Sequence, residues 1–205
     1  MESAYTRRGS ASYTMDFDHD ATALWEVIST PNILEECHPF CQSNKAIQWD
    51  KDGHSDVLVY LNGRTYTRRF QTWSEGDGFT LLIGEEDGPQ SYVVWELTAL
   101  SHQASRLTIT VYPYILAKLP RVLALLPHIL WVRPRLQKYL KSVISGFQYH
   151  IEHGEKVPRN HFGRHPWFSW MEFMPCKVQG LHSITTVHEP DCSLPAWIQW
   201  SLWNP

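Results

Sequence analysis

The chain has 205 residues, of which 43% are hydrophobic and 13% aromatic, and its formal net charge at pH 7 is -3. This length suits one domain with an appended segment, and the apolar fraction is enough for a sizeable core. The slightly negative charge gives no general attraction to nucleic acid, so no nucleic-acid partner is expected. The N-terminus has no apolar run behind its basic pair, and four cysteines are too few for a disulfide scaffold. We therefore expect a cytosolic (cytoplasmic) protein with reduced thiols.

The first part of the chain predicts one strand and two short helices. Residues 11–18 alternate between apolar and polar side chains, which is typical of a strand. An apolar stripe predicts a helix over residues 21–29, with Asp18 or Asp20 as its N-cap. A second short helix is predicted over residues 31–38, because proline is well tolerated in a first helical turn.

Strand candidates with period-two alternation follow, separated by glycine-rich turn signals. Asn62-Gly63 is a strong signal for a two-residue hairpin turn, because both residues tolerate positive φ. Short connections imply an antiparallel meander, and the absence of strand–helix–strand alternation argues against a doubly wound nucleotide-binding fold. The candidates are residues 46–50, 56–61, 65–73, 79–83, 91–100 and 106–114.

The pattern becomes helical over residues 114–153. Three prolines spaced seven residues apart are expected to break or kink the first part into short pieces. The remainder, from residue 135, predicts an amphipathic helix that stops at Gly154. Residues 111–132 are long enough to span a bilayer, but they contain Lys118, Arg121, His128 and three prolines. We therefore interpret residues 114–134 as an apolar flap and leave open a transient contact with a bilayer surface. The prolines spaced seven residues apart are Pro120, Pro127 and Pro134.

This order of elements resembles the START-like helix-grip superfamily, also called SRPBCC, which includes polyketide cyclases and lipid-transfer domains. The closest local matches are residues 20–41, 139–157 and 160–169, and these segments resemble one subgroup of that superfamily. The resemblance covers roughly residues 11–169. It implies an α+β fold in which a curved antiparallel sheet of about seven strands wraps around a long C-terminal helix. It also implies a hydrophobic internal cavity that needs no metal or other cofactor.

The resemblance divides the chain into three parts. Residues 1–10 are expected to be a flexible N-terminus, residues 11–169 a START-like domain, and residues 170–205 a C-terminal extension. The extension is either poorly ordered or docks on an apolar surface or a partner. Its candidate docking residues are Trp197, Trp200 and Trp203.

The cavity is expected to lie between the inner face of the sheet and the C-terminal helix. Alternation leaves open whether Arg68 or Arg69 faces inward, and an inward arginine needs an anion, either Glu96 or a ligand carboxylate. An inward Arg68 would bring Tyr66 and Phe70 with it, whereas an inward Arg69 would bring Thr67, Gln71 and Trp73. The predicted cavity residues are Trp25, His38, Phe40, Tyr66, Arg68, Phe70, Val93, Trp95, Leu97, Ile109, Leu140, Ile144 and Phe147.

The local cluster of Cys37, His38 and Cys41 is a candidate metal site. It offers three ligands at best, and a fourth would have to be His150 or His153 on the last helix. We interpret both cysteines as small core residues and His38 as the end of the second short helix. The set of His150, His153, His161 and His165 is interpreted as surface and loop residues rather than as iron ligands. No metal is therefore predicted.

The sequence contains no nucleophile elbow, phosphate-binding loop or zinc-protease motif, so no catalytic residue is predicted. The favoured hypothesis is a non-catalytic module that binds a small hydrophobic molecule, such as a lipid or a polyketide. One alternative is a cyclase- or dehydratase-like enzyme that uses the same cavity. Another is an interaction module whose cavity is filled by its own side chains. The oligomeric state is not predicted.

Overall fold

The computed structural model describes residues 5–169. The predicted extension, residues 170–205, lies outside the described residues. Within residues 5–169, seven strands and four helices follow one another, with one π-helical segment between the last two helices. In chain order the elements are β1 (Ala11–Phe17), α1 (Ala21–Ile28), α2 (Leu34–Cys37), β2 (Cys41–Asp50), β3 (Gly53–Tyr60), β4 (Thr65–Ser74), β5 (Gly78–Gly84), β6 (Gln90–Ser101), β7 (Ala104–Tyr112), α3 (Arg121–Pro127), the π-helical segment (His128–Val132) and α4 (Arg133–His153).

The strands form one antiparallel sheet in the order β1-β7-β6-β5-β4-β3-β2. Neighbouring strands from β2 to β7 are consecutive in the chain, and β1 closes the order by pairing with β7. This arrangement confirms the predicted meander and the α+β fold class. Helix α4 packs closely against β1 and β7. Over the middle strands, large side chains bridge the space between the sheet and α4, and they form the main core.

The turn between β3 and β4 differs from the predicted two-residue hairpin. The backbone N–H of Tyr60 donates to the carbonyl oxygen of Arg64 at 2.9 Å, so three residues form the loop. Only Gly63 has a positive φ, at 80°, whereas Asn62 stabilises the turn by accepting the Arg64 N–H on its side chain. The extra loop residue shifts the pairing of β3 with β4 by one position, and this shift determines which arginine faces inward.

The two short helices after β1 form where the pattern predicts them. Asp20 is the N-cap of α1, and its carboxylate accepts the backbone N–H of Ala23 at 2.9 Å, which selects it over Asp18. Helix α1 buries Leu24, Trp25 and Ile28. Helix α2 covers only residues 34–37, so it is shorter than predicted.

The expectation that the prolines break or kink the first part of the helical region into short pieces is only partly correct. Pro120 precedes α3, but Pro127 and Pro134 lie within one continuous helical run from residue 121 to residue 153. Proline lacks a backbone N–H, and its ring clashes with the carbonyl four residues earlier. For Pro134 the π-helical segment eases this conflict, because its wider turn directly before the proline lets the Arg133 N–H donate to the carbonyl of His128, five residues back.

Helix α4 lies unusually close to α2. A Cβ atom on Gly146 would stand 1.9 Å from the carbonyl oxygen of Cys37, so only glycine fits at this position. The predicted stop at Gly154 is confirmed, because this residue has φ 66° and its N–H donates to the carbonyl of His150 at 2.8 Å. The inward stripe of α4 consists of Leu136, Leu140, Val143, Ile144 and Phe147.

Candidate functional site

The predicted cavity residues share one interior. Twelve of the thirteen are buried, and Phe70 is half-buried. On β6 the alternation turns Val93, Trp95 and Leu97 inward, whereas Glu96 is exposed. The structure therefore brings the predicted residues together between the sheet and the helices. Their role in binding stays a prediction.

Strand β4 turns Arg68 inward and Arg69 outward. Arg68 is 5% exposed and Asp56 on β3 is 0% exposed. The Nε of Arg68 donates to Oδ1 of Asp56 at 2.7 Å, and Nη2 donates to Oδ2. Burial disfavours the charged form of Arg68 and so acts to lower its pKa. The charge and hydrogen bonds of Asp56 outweigh burial, so the pKa of Arg68 is raised. The anion expected beside an inward arginine is thus Asp56 rather than Glu96, while Arg69 pairs with Glu86 on the other face.

A chain of hydrogen bonds joins the end of α2 to α4 and β3. The backbone N–H of Phe40 donates to Nδ1 of His38 at 3.1 Å. The neutral imidazole therefore carries its proton on Nε2, which donates to the hydroxyl of Tyr139 at 2.9 Å. The hydroxyls of Tyr139 and Tyr60 are 3.1 Å apart. We call His38, Tyr139 and Tyr60 the polar relay.

Burial keeps the polar relay uncharged at neutral pH. Burial and, as a smaller cause, the nearby Arg68 guanidinium together lower the pKa of His38 to about 3. Burial also raises the pKa of Tyr139 to about 12 and that of Tyr60 well above its ordinary value. The relay can therefore exchange hydrogen bonds with a guest, but it offers no charge. A second hydroxyl pair, Tyr66 and Tyr114, lies 3.3 Å apart.

A continuous group of aromatic rings runs from the edge of the inner face to α4. Strict alternation would place Phe70 and Trp73 on opposite faces of the sheet. A bulge after Phe70 turns Trp73 to the same face, so both rings point inward. His54 stacks on Trp73 with centroids 3.9 Å apart, and Trp95 contacts Phe147 of α4 at 5.6 Å. We call this group the aromatic cluster. It consists of Trp25, Trp49, His54, Phe70, Trp73, Phe79 and Trp95.

Arg68 links the polar relay to the aromatic cluster, because its positive charge acts on the pKa of each of the three relay side chains. The Cζ of Arg68 lies 5.4 Å from the centroid of the Phe70 ring, so the buried cation faces one end of the cluster. Trp49, His54, Phe70 and Trp73 are half-buried, whereas Phe79 and Trp95 are buried. The cluster thus reaches from the surface to the core.

Side chains of the segment that follows α4 pack into the predicted interior. Phe168, which follows α4, stacks on Tyr60 at 4.4 Å and contacts Tyr139 at 4.5 Å. Its segment is anchored by His165, whose Nε2 donates to the carbonyl of Arg135 at 3.1 Å, and by Asn62, whose side chain donates to the carbonyl of Trp167 at 2.8 Å. An open surface depression lies elsewhere, between the start of α1 and the end of β6, and includes none of the predicted cavity residues.

The cysteine cluster near α2 is part of the core. Cys37 and Cys41 are buried free thiols, and burial raises the pKa of Cys41 to about 12. His38 ends α2, and its backbone N–H donates to the carbonyl of Leu34 at 3.1 Å. Within residues 5–169, no group of three or more potential ligands could hold a metal ion. His165, interpreted from sequence as a loop residue at the surface, is 1% exposed, which corrects that interpretation.

Sequence reasoning missed Asp56, Tyr60, Tyr139 and Phe168. Asp56 stands directly opposite Arg68 in the β3–β4 register, so the correct turn length would have identified it. Tyr139 lies one residue before the predicted Leu140, on the half-buried side of the α4 stripe. No periodicity signals Phe168, because it belongs to a loop.

Comparisons with known proteins address the fold. No family model and no curated protein match the sequence. A START superfamily protein from Mycobacterium smegmatis superposes with a TM-score of 0.54 at 10% identity, covering 70% of this chain and 97% of that one. The chain has the START-like helix-grip fold. The Zhui aromatase/cyclase from Streptomyces sp. R1128 superposes with a TM-score of 0.51 at 14% identity, covering 73% of this chain and 99% of that one.

A third similar structure is longer than this chain. DynU16, a protein of the dynemicin biosynthetic locus, superposes with a TM-score of 0.55 at 14% identity over 72% of this chain. The match spans 48% of DynU16, about half of its length. At these sequence identities the similarity establishes only the fold, and a function has to be argued from the residues of the site.

Proposed function

We propose that this protein binds a small, mainly apolar molecule between the inner face of the sheet and α4, without transforming it. The observation that carries the proposal is the aromatic cluster, whose ring contacts continue from half-buried Trp49 and Trp73 to Trp95 beside α4. Large, rigid rings offer apolar contact area at low entropic cost, as in many ligand sites. A flat guest would therefore enter at the half-buried edge.

The packing supports a site that opens by ring displacement. The α4 backbone packs closely against β1 and β7, so side chains occupy the depth above the middle strands. A guest that displaces a ring replaces one apolar contact with another and leaves no backbone group unpaired. If backbone groups filled this space instead, a guest would have to break their hydrogen bonds, which costs more free energy than moving a ring.

The composition of the site favours a guest with one polar oxygen. The aromatic cluster would hold the apolar body, and the neighbouring relay hydroxyls of Tyr60 and Tyr139 would meet a hydroxyl or carbonyl group. Both hydroxyls donate and accept hydrogen bonds, so they suit either kind of oxygen. A simple polyketide or phenolic metabolite has this chemistry, as does a lipid with one polar end.

Binding is tested first with protein from its own host and then with a defined probe. Native mass spectrometry should show a co-purified small molecule that organic extraction removes. With the extracted protein, isothermal titration with 2-naphthol should show one saturable site. Phe70→Gln should weaken the probe at least about tenfold, because it removes a ring contact of the size that burial of one aromatic side chain provides.

Gln71→Ala is the matched control. Gln71 neighbours Phe70 on the same strand and is exposed, so this variant should bind 2-naphthol like the unmodified chain. Absence of any co-purified molecule together with absence of probe binding would refute the proposal. Equal weakening by both variants would place the probe outside the aromatic cluster.

A second candidate function is suggested by the polar relay. A neutral His38 that donates from Nε2 to Tyr139 can strengthen a hydroxyl donor that polarises a ketone. In an intramolecular aldol cyclisation, an enol carbon attacks that ketone, one carbon–carbon bond forms, and the proton released by the enol goes to the new alkoxide. The interior could therefore favour ring closure of a bound polyketone by orientation and hydrogen bonding.

The catalytic candidate is tested with a synthetic poly-β-ketone as the substrate. Products are followed by liquid chromatography and mass spectrometry, and the rate is compared with that without protein. Tyr139→Phe should reduce any acceleration by about 100-fold, a typical loss for one positioned proton donor. Tyr13→Phe, a half-buried tyrosine on β1, is the control. A product distribution that is identical with and without protein would leave binding alone as the function.

A further inference from the structure

An apolar surface covers α3 and the π-helical segment. Val122 is 84% exposed, Leu130 is 72% exposed and Leu126 is 65% exposed, and these three residues follow one another at intervals of four. Such a contiguous exposed apolar surface is unusual for a soluble domain and marks an interaction site. We call it the apolar ridge. It consists of Val122, Leu123, Leu125, Leu126, Ile129, Leu130 and Trp131.

The opposite side of the same helical run holds it against the domain. Val132 is fully buried, and His128 is buried four residues earlier. The Nε2 of His128 donates to the carbonyl of Ser10 at 3.2 Å, and Gly9 packs against the imidazole so tightly that a Cβ would stand 2.5 Å from it. The run is therefore docked through one side, and the apolar ridge is the side that faces away.

Basic residues flank the apolar ridge. Residues 114–151 contain six Lys or Arg and no Asp or Glu, although the whole chain carries a formal charge of -3. Lys118, Arg133, Lys138 and Lys141 are exposed. Arg135 lies over the ring of Trp131 at 4.9 Å, so an aromatic ring and a cation meet at the margin of the ridge. The remaining basic residue is Arg121.

We propose that the apolar ridge docks on the surface of a bilayer that contains anionic lipid. Exposed aliphatic side chains with a Lys- and Arg-rich flank and a Trp at the boundary are the chemistry of interfacial helices. The apolar side chains would enter the boundary between headgroups and acyl chains, and the cations would meet lipid phosphates and carboxylates. No helix among the described residues is long and apolar enough to cross a membrane, so the proposal concerns contact with one surface.

Charge favours a lipid surface over a second copy of the chain. Two copies that met through the apolar ridge would bring together two segments that each carry six basic residues and no carboxylate. Like charges across an interface oppose association. The same charges are attracted to an anionic bilayer.

Vesicle sedimentation of the full chain tests the proposal. We expect binding to vesicles of 70% phosphatidylcholine and 30% phosphatidylserine, and at least about tenfold weaker binding to pure phosphatidylcholine. Leu126→Gln combined with Leu130→Gln should lower the partition coefficient at least about tenfold, because two apolar side chains no longer enter the bilayer. Lys138→Gln combined with Lys141→Gln should reduce the dependence on phosphatidylserine.

Ile47→Gln combined with Leu100→Gln is the matched control, since both residues are exposed apolar side chains of the sheet. This variant should bind vesicles like the unmodified chain. Equal binding by the control and the ridge variant would overturn the proposal. So would a dimer in analytical ultracentrifugation that disappears in the ridge variant while vesicle binding is absent.

The proposal does not rest on ligand binding in the interior. The ridge variant should still bind 2-naphthol, because its substitutions lie outside the aromatic cluster. Phe70→Gln should likewise still bind vesicles. Failure of one assay therefore leaves the other interpretable, and circular dichroism of each variant shows that the fold is retained.

Discussion

The ion pair between Asp56 and Arg68 should behave as a coupled unit in stability measurements. Both side chains are almost fully removed from water, and two parallel hydrogen bonds join them. Removing one partner of such a pair leaves an uncompensated charge in the core, which typically costs about 3–5 kcal/mol. Asp56→Leu and Arg68→Met should each lower the free energy of unfolding by this amount.

Replacing both residues should cost far less than the sum of the single changes. If the two sites were independent, the double variant would lose about 6–10 kcal/mol, but a buried pair replaced by apolar residues is often neutral or stabilising. We expect Asp56→Leu combined with Arg68→Met to lie within about 2 kcal/mol of the unmodified chain. Urea unfolding at pH 7, followed by circular dichroism, measures all four proteins. Additive losses would refute the coupling.

Three further predictions concern the core. Because burial lowers the pKa of His38 to about 3, the unfolded chain binds a proton below pH 6.5 that the folded chain does not, so this residue should lower stability by about 2 kcal/mol between pH 6.5 and pH 5. Urea midpoints should show the fall, and His38→Gln should make it smaller without removing it, because burial also lowers the pKa of His165 to about 4. Gly146→Ala should destabilise the chain by about 1–3 kcal/mol or more in thermal unfolding, because its Cβ would meet the Cys37 carbonyl, whereas neighbouring Ser145→Ala should change little. In a Cys176→Ser, Cys192→Ser background, Cys37 and Cys41 should resist a thiol-specific disulfide reagent until urea is added, since burial raises the pKa of both thiols. Fast labelling of the native chain would contradict this last prediction.

The sheet could be predicted from sequence because its strands alternate and short turns separate them. The inward orientation of Val93, Trp95 and Leu97 followed from the apolar set alone. Alternation could not decide between Arg68 and Arg69, because the answer depends on loop length. A two-residue turn at Asn62-Gly63 would have paired Asp56 with Arg69, whereas the observed three-residue loop pairs it with Arg68.

The remaining features of the site depend on contacts between distant segments. Trp73 joins Phe70 on the inner face because of a bulge, which interrupts period two without a clear sequence signal. Tyr139 and Tyr60 meet only through the docking of α4, and Phe168 reaches them from a loop. Pro127 and Pro134 are predicted to break or kink the helix, whereas both lie within one continuous helical run and a π-helical turn directly precedes Pro134. Local patterns do not contain this information, because tertiary packing decides it.

The position of Asp56 argues against Arg68 as the receptor for an anionic guest. Asp56 already neutralises the guanidinium and uses two of its nitrogens, so a guest carboxylate would have to lose its own hydration and face a carboxylate nearby. The hydroxyls of Tyr60 and Tyr139 are uncharged, so a guest needs only a hydrogen-bonding oxygen to interact with them. A neutral guest is thus the better match to this interior.

This preference can be measured with two probes of nearly equal shape. We expect 2-naphthol to bind at least about tenfold more tightly than 2-naphthoate at pH 7, because one buried, unpaired charge costs more than the free energy of a tenfold change in affinity. In Asp56→Leu combined with Arg68→Met, 2-naphthol binding should persist, since the pair has only a structural role. Tighter binding of 2-naphthoate by the unmodified chain, lost in that double variant, would instead make Arg68 the anchor of an acidic ligand.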